Sequence, residues 1–247
     1  MSLLSVTKLR REYQRGGKTF AAVDNVTFSM EYGESVSIIG RSGSGKTTFI
    51  SMAAGLISPT AGEIILDGNE ILFLDDAAAS RLRNEIMGYI PQGASLLPSL
   101  TALDNVRLPL YLTNSKPDVG NGAATALDLL DAMGVAHLQD AYPSDMSGGE
   151  MRRVAIARAL VASPKILVAD EPTSDLDEES AAEVMRLLAR VHKQGTALLL
   201  VTHDMELAAI ADRVMTMASG KLSPAARPGD AAVVRGGVVP GAEAMAS

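Results

Sequence analysis

The chain reads as an α/β fold, with a parallel sheet wound by helices, a β-rich N-terminal part and a helical segment inserted mid-chain. Three observations predict it. The apolar run "SVSIIG" (35–40) ends in a glycine-rich turn, and "KTTFISMAAGL" (46–56) follows as a helix. Two further apolar runs, "KILVAD" (165–170) and "TALLLVTH" (196–203), suit the buried strands of a parallel sheet. Between them Val184, Leu187, Leu188 and Val191 fall on one helical stripe, so strand, helix and strand form the unit of a doubly wound sheet.

The elements follow in order. Residues 1–34 read as short β segments, "LLSVTKL" and "FAAVDNVTFSM", closed by a turn at Glu31–Glu34. "GEIILDG" (62–68) is a strand with an Asp-Gly turn, and "MGYIPQ" (87–92) is another. From about 93 to 160 the texture is helical. Asp104–Leu112 has helical period, with a break or kink expected at Pro109 because proline removes a backbone donor. Ala123–Met133 is a helix with Gly134 as its C-cap, and "EMRRVAIARALVA" is a third. Asp177 is placed to N-cap the helix before "TALLLVTH", and Gly195 closes it. "RVMTMASGKL" (213–222) is a hairpin around Ser219-Gly220. Residues 1–222 thus make one domain, and 223–247, rich in Ala, Gly, Pro and Val, read as a flexible tail in which 231–239 could form a strand on a neighbour.

Composition narrows the function classes. Among 247 residues, 47% are hydrophobic, enough for a sizeable core, while aromatics are 4% and Trp is absent. A net charge of −7 argues against a broad nucleic-acid-binding face. The basic cluster Lys8, Arg10, Arg11, Arg15 reads as a solvated strand edge. With no Cys, disulfides and thiolate metal sites are excluded. The N-terminus turns charged too soon for a secretory signal, and no stretch approaches the about 20 apolar residues of a membrane helix. The chain is expected to be soluble when isolated.

"GRSGSGKT" (40–47) fits the phosphate-loop pattern G-x-x-x-x-G-K-[ST]. Gly40, Arg41, Ser42, Gly43, Ser44 and Gly45 would wrap backbone N–H groups around phosphate oxygens, and the following helix adds its positive end. Lys46 reaches the β- and γ-phosphates, Thr47 binds Mg²⁺, and Thr48 contacts the α-phosphate region. "ILVADE" (166–171) delivers two carboxylates at the carboxyl end of a strand, where ligands of open α/β sheets sit. Asp170 would hold Mg²⁺ and Glu171 would polarise the attacking water, the division phosphoryl transfer needs. His203 should emerge beside Glu171 and touch the γ-phosphate or orient the general base. His137 and His192 are expected on the surface. Gln92, where the β core meets the helical insert, can bind Mg²⁺ or the water. Tyr13 offers a ring for adenine to stack on, with core packing as the competing reading.

A second anion-binding loop stands at "MSGGEMRR" (146–153), with Ser147, Gly148, Gly149 and Glu150 opening a helix. One nucleotide needs one cradle, so the second is expected to serve a nucleotide held by another copy in a two-fold dimer. "MSGGEMRRVAIARAL" resembles the signature region of ABC ATPases, and Tyr13, GRSGSGKTT, Gln92, ILVADEP, "SDLD" (174–177) and His203 follow in that family's order over residues 2–222. "LLPSLTALDNVRLPL" (96–110) and "ADEPTSDLD" (169–177) look most like the lipoprotein-releasing and macrolide-export type. The resemblance implies a RecA-like P-loop NTPase core with an antiparallel β subdomain and an inserted helical subdomain, about 93–160. It implies an active ATPase using ATP and Mg²⁺, with Ser147 and Gly149 donating to the opposite γ-phosphate and Asp177 in the loop along the dimer seam. It also implies integral membrane permease subunits as partners, a cytoplasmic helix of one docking in a groove near Gln92 lined by part of 93–110. The location implied is the cytoplasmic face of the membrane. A regulatory cassette of a cell-division-type complex is the alternative. Met146, Glu150 and Asp175 depart from the usual Leu, Gln and Asn or Ala, with Arg152 and Arg153 near enough in sequence to offset the Glu150 charge.

Overall fold

The computed structural model describes residues 2–93, 95–112, 126–174 and 176–225. Two 14-residue strands, β1 (Ser2–Arg15) and β2 (Lys18–Glu31), pair antiparallel along their whole length. The short segments expected there are longer because polar residues flank each apolar run without breaking strand pairing. β4 (Ala61–Leu66) joins the other edge of β1, and β5 (Asn69–Glu70) completes a sheet in the order β2-β1-β4-β5.

The second sheet has six strands in the order β10-β9-β3-β8-β7-β6. β3 (Ser35–Ile39) is central and pairs parallel with β8 (Ala197–Thr202) and β9 (Arg213–Ala218). β6 (Met87–Ile90) and β7 (Ile166–Asp170) continue the parallel array, and β10 (Lys221–Pro224) returns antiparallel on β9. Successive strand residues face opposite sides, so Ile166 and Val168 enter one core while Leu167 and Ala169 enter the other. The first core lies between the two sheets and around α1 (Lys46–Ala53), with Phe28 edge-on to Phe49 at 5.8 Å. The second lies under α3 (Ala102–Leu112), α4 (Ala126–Ala132), α5 (Gly148–Leu160) and α6 (Glu178–Lys193).

α2 (Asp76–Ile86), capped by Asp75 through the Ala78 N–H at 2.7 Å, occupies a stretch for which the sequence predicts no element. Of the break or kink expected at Pro109, the break does not occur. Proline forfeits one helical hydrogen bond but keeps a helical φ, and α3 runs on to Leu112. Residues 113–125 lie outside the description, so the expected start at Ala123 does too. The end at Gly134 is as expected. Val135 N–H donates to Leu130 O at 2.9 Å and Gly134 N–H to Asp131 O at 2.8 Å, a paired C-terminal closure with Leu130 and Val135 buried. Ser223 and Pro224, expected in the tail, belong to β10, and 226–247, with the suggested strand at 231–239, lie outside the described residues. A short helix, α7 (Met205–Ala208), links β8 to β9.

Two side-chain and backbone clamps set the sheets against each other. Asp67, in the β4–β5 turn, accepts from Tyr32 Oη at 2.5 Å and from Lys165 Nζ at 2.8 Å. At the β9–β10 turn, Gly220 N–H donates to Ser44 O at 3.0 Å and Gly220 O accepts from Asp24 N–H at 2.8 Å. Three segments far apart in sequence meet there.

Candidate functional site

β3 is buried throughout its first four residues, so the loop that follows emerges at the carboxyl end of the parallel sheet. Two glycines allow its close approach. A Cβ on Gly45, at φ +107°, would stand 2.1 Å from Ala22 O, and one on Gly40 would stand 2.3 Å from Met217 O. Gly45 is also the N-cap of α1, so the helix's positive end opens into the loop. Lys46 is buried, its ammonium donating to Gly40 O at 2.7 Å and Arg41 O at 3.2 Å.

These residues line a cleft of about 660 Å³ together with Tyr13, Phe20, Ala22, Gln92, Glu171, Ser174 and His203. Every predicted residue from 40 to 48 except Ser44 is on its wall; the Ser44 hydroxyl is buried without a partner. Phe20, Ala22 and Ser174 escape the sequence reading, the first two because nothing local shows that the β1–β2 hairpin folds over the loop.

Asp170 is 1% exposed, beneath the cleft. The Thr47 hydroxyl neighbours its carboxylate, while Oδ1 has no hydrogen-bond partner among the described residues. Burial raises the Asp170 carboxyl above the ordinary carboxylate range; the Thr47 hydroxyl opposes the shift and the Glu171 charge adds to it. Glu171 sits at φ +49°, rare for a residue with a side chain, and its N–H donates to Val201 O at 2.8 Å. That turn lifts its carboxylate out of the strand, where Oε2 meets His203 Nδ1 at 2.9 Å and the His203 N–H at 3.3 Å. The sequence-predicted Glu171–His203 neighbourhood is therefore present.

The second loop lies elsewhere. Ser147, Gly148, Gly149, Glu150 and Asp177 are absent from the cleft lining, and Ser147 and Gly148 are exposed. Ser147 N-caps α5 in a reciprocal box. Its hydroxyl accepts from Glu150 N–H at 3.3 Å, while Glu150 Oε2 accepts from Ser147 N–H at 2.7 Å and from its hydroxyl at 2.8 Å. Those bonds hold the Glu150 carboxyl below its ordinary range. Asp177 N-caps α6 through the Ser180 N–H at 3.0 Å, and Gly149 packs on Ser180, so the two loops adjoin.

Two expectations need correction. Arg152 does not offset Glu150. It is buried, and donates to Pro91 O at 2.9 Å and Gly93 O at 3.1 Å on either side of Gln92. Arg153, although it pairs with Glu183, does favour the charged Glu150 carboxylate as expected. His192 is not a surface residue; it is 22% exposed and lies 3.4 Å from Asp212, whereas His137 is exposed as expected. An open groove of about 530 Å³ beside α2 and α3 is lined by Leu56, Asn84, Pro109, Leu112 and Arg158, of which Pro109 lies within 93–110. Asp175 lies outside the described residues.

The family model described as ABC transporter matches residues 23–174. The fold is similar to a dimeric, post-hydrolysis state of the ATP-binding cassette MJ0796 bound to ADP and Pi, with TM-score 0.80 and 32% identity over 90% of this chain and 98% of that one. A second dimeric structure of MJ0796, a bacterial ABC transporter cassette, gives TM-score 0.82 and 33% identity over 89% and 96%. cbiO1 from Clostridium perfringens, part of the ABC transporter complex cbiONQ, gives 0.75 and 29% over 90% and 87%.

Proposed function

The chain belongs to the ABC transporter family as an ATP-hydrolysing cassette, and on that premise we propose that the 660 Å³ cleft binds ATP and drives a membrane transporter. The observation that carries the assignment is the convergence on one wall of the phosphate loop, Lys46, Gln92 and the Glu171–His203 pair.

The residues present fit Mg²⁺. The partnerless Asp170 Oδ1 and the adjoining Thr47 hydroxyl are hard oxygen donors, and an ion of this kind takes few protein ligands and completes its shell with phosphates and water. Gln92 would add a third oxygen or hold the water. Bound there, Mg²⁺ would neutralise charge developing on the phosphate oxygens. Loop N–H groups and Lys46 hold the β- and γ-phosphates in line for attack. Glu171, positioned by His203, takes the proton of a water whose oxygen bonds to the γ-phosphorus as the bond to the β-phosphate oxygen breaks.

The exposed Ser147-Gly148 loop serves the γ-phosphate of a second copy, with Asp177 beside it. The neighbour MJ0796, itself dimeric, supports this two-fold sandwich. The groove along α2 and α3, with Leu56, Tyr111 and Leu112 exposed around it, suits a cytoplasmic helix of an integral membrane permease subunit. Among the described residues no helix is long and apolar enough to cross a membrane. The cassette works at the cytoplasmic face through that permease partner. An exporter of the lipoprotein, macrolide or peptide type is the reading that "LLPSLTALDNVRLPL" and "ADEPTSDLD" favour.

Glu171→Gln tests the assignment. It should retain ATP binding, trap an ATP-dependent dimer by light scattering, and slow hydrolysis by about 10²- to 10⁴-fold, the usual loss of a positioned base. A rate within threefold of wild type would remove Glu171 from this role. Affinity capture of that ATP-loaded variant from solubilised membranes identifies the partner. A polytopic protein with a large extracytoplasmic domain supports the exporter, and a cell-wall enzyme regulator supports the cell-division reading.

A further inference from the structure

We propose that Glu150 is a brake on closure of the dimer: it holds the one proton of the Ser147 hydroxyl and fixes a negative charge where the γ-phosphate of the other copy's ATP arrives. The inference rests on reading the second loop as one half of the nucleotide sandwich. Capping alone does not call for a charge here. The helix start is served once the Ser147 hydroxyl accepts from the Glu150 N–H and a side-chain oxygen at position 150 accepts from the Ser147 N–H. A neutral glutamine supplies that oxygen equally well. The carboxylate adds two things that the cap does not use.

The first concerns the proton. A serine hydroxyl has a single proton to donate. Here it goes to Glu150 Oε2 at 2.8 Å, and the ionised carboxylate is an acceptor with no proton to give back. Ser147 therefore cannot donate to a phosphate oxygen while it donates to Glu150. Closure must first break a charge-assisted bond, roughly twice as strong as a neutral one.

The second is the charge itself. A phosphate oxygen bonded to the Ser147 hydroxyl stands two hydrogen bonds from Glu150 Oε2, about 6 Å at most. Near a protein surface, two like charges at that distance repel enough to shift an equilibrium about tenfold. The neighbourhood does not remove the charge. The bonds from Ser147, and after them the Arg153 and His137 side chains, favour the ionised carboxylate, and Arg153 is itself paired with Glu183. Asp177, on the adjoining loop, turns its own carboxylate to the Ser180 N–H. The cassette with ATP alone thus closes weakly, and full closure is left to the permease.

The test is dimerisation with Mg²⁺ and ATP, followed by light scattering, in the Glu171→Gln chain alone and with Glu150→Gln or Glu150→Ala added. Glu150→Gln keeps the cap and drops the charge, and should tighten the dimer about tenfold. Glu150→Ala also frees the Ser147 proton and should tighten it at least as much. Calorimetry on the dilute monomers should give one ATP affinity for all three chains, because none of residues 147–150 lines the cleft. Adding Ser147→Ala should cost the dimer more in the Glu150→Ala chain than in the chain that keeps Glu150, a coupling that two independent structural defects would not produce. Unchanged or weaker dimers in both Glu150 variants, or an equal cost of Ser147→Ala in the two backgrounds, would overturn the proposal and leave the sandwich in place. If none of the three chains dimerises with ATP, the sandwich reading falls and this inference with it.

Discussion

Asp170 shows what burying a charge for function does to one residue. Its carboxyl is raised by burial, so in the metal-free protein the folded state holds the Asp170 proton more tightly than the unfolded chain does. A carboxylate raised in this way lowers folded stability once the pH passes its ordinary range, and lowers it fully above the raised value. Asp170→Asn keeps the shape and removes that cost. It should therefore melt above wild type at neutral pH without Mg²⁺, with the difference vanishing as the pH falls below the ordinary carboxylate range. The same variant should lose the Mg²⁺-dependent part of ATP stabilisation. Differential scanning calorimetry across pH checks both, and a lower neutral-pH melting point would count against the role given to burial. Glu171, one residue on, carries the other distortion, a left-handed backbone that aims its carboxylate at His203.

At the scale of the element, the start of α5 is held by the Ser147–Glu150 box. Ser147→Ala should cost about 1 kcal/mol, the usual worth of an N-cap, and lower the melting temperature by about 2–4 °C for a domain of this size. Glu150→Gln should leave it unchanged, since glutamine closes the same box. Thermal melts of the two variants separate a capping role from a purely electrostatic one. Elements with strong local signals were legible: β3, β7 and β8 as apolar runs, α6 from its stripe and its Asp177 cap, and the closure at Gly134. α2 was not, because only Ala79 and Ile86 are buried and no apolar stripe marks it. α3 was legible over Asp104–Leu112, but its continuity at Pro109 was not, since one proline removes a single bond and does not stop propagation. The phosphate loop and its carboxylates could be read from spacing, but Phe20 could not, because its place in the cleft comes from strand pairing with Tyr13.

Across the whole molecule, one sheet divides two cores, and the two anion-binding loops open on different parts of the surface. In the proposed sandwich a single chain carries two halves of different sites. Ser147→Arg should bind ATP with wild-type affinity yet remain monomeric by light scattering in the Glu171→Gln background, and an ATP-dependent dimer of that double variant would refute the sandwich. The contact of Gly220 with Ser44 and Asp24 has a genetic consequence. The last residue of the cleft is His203, so a reading frame stopped just past it would keep every reactive group. Such a frame would delete the turn that braces the phosphate loop from behind. Nonsense changes between codons 204 and 219 should thus be as damaging to selection as loss of Lys46 itself, and the shortest heritable form of this cassette runs through the β9–β10 hairpin.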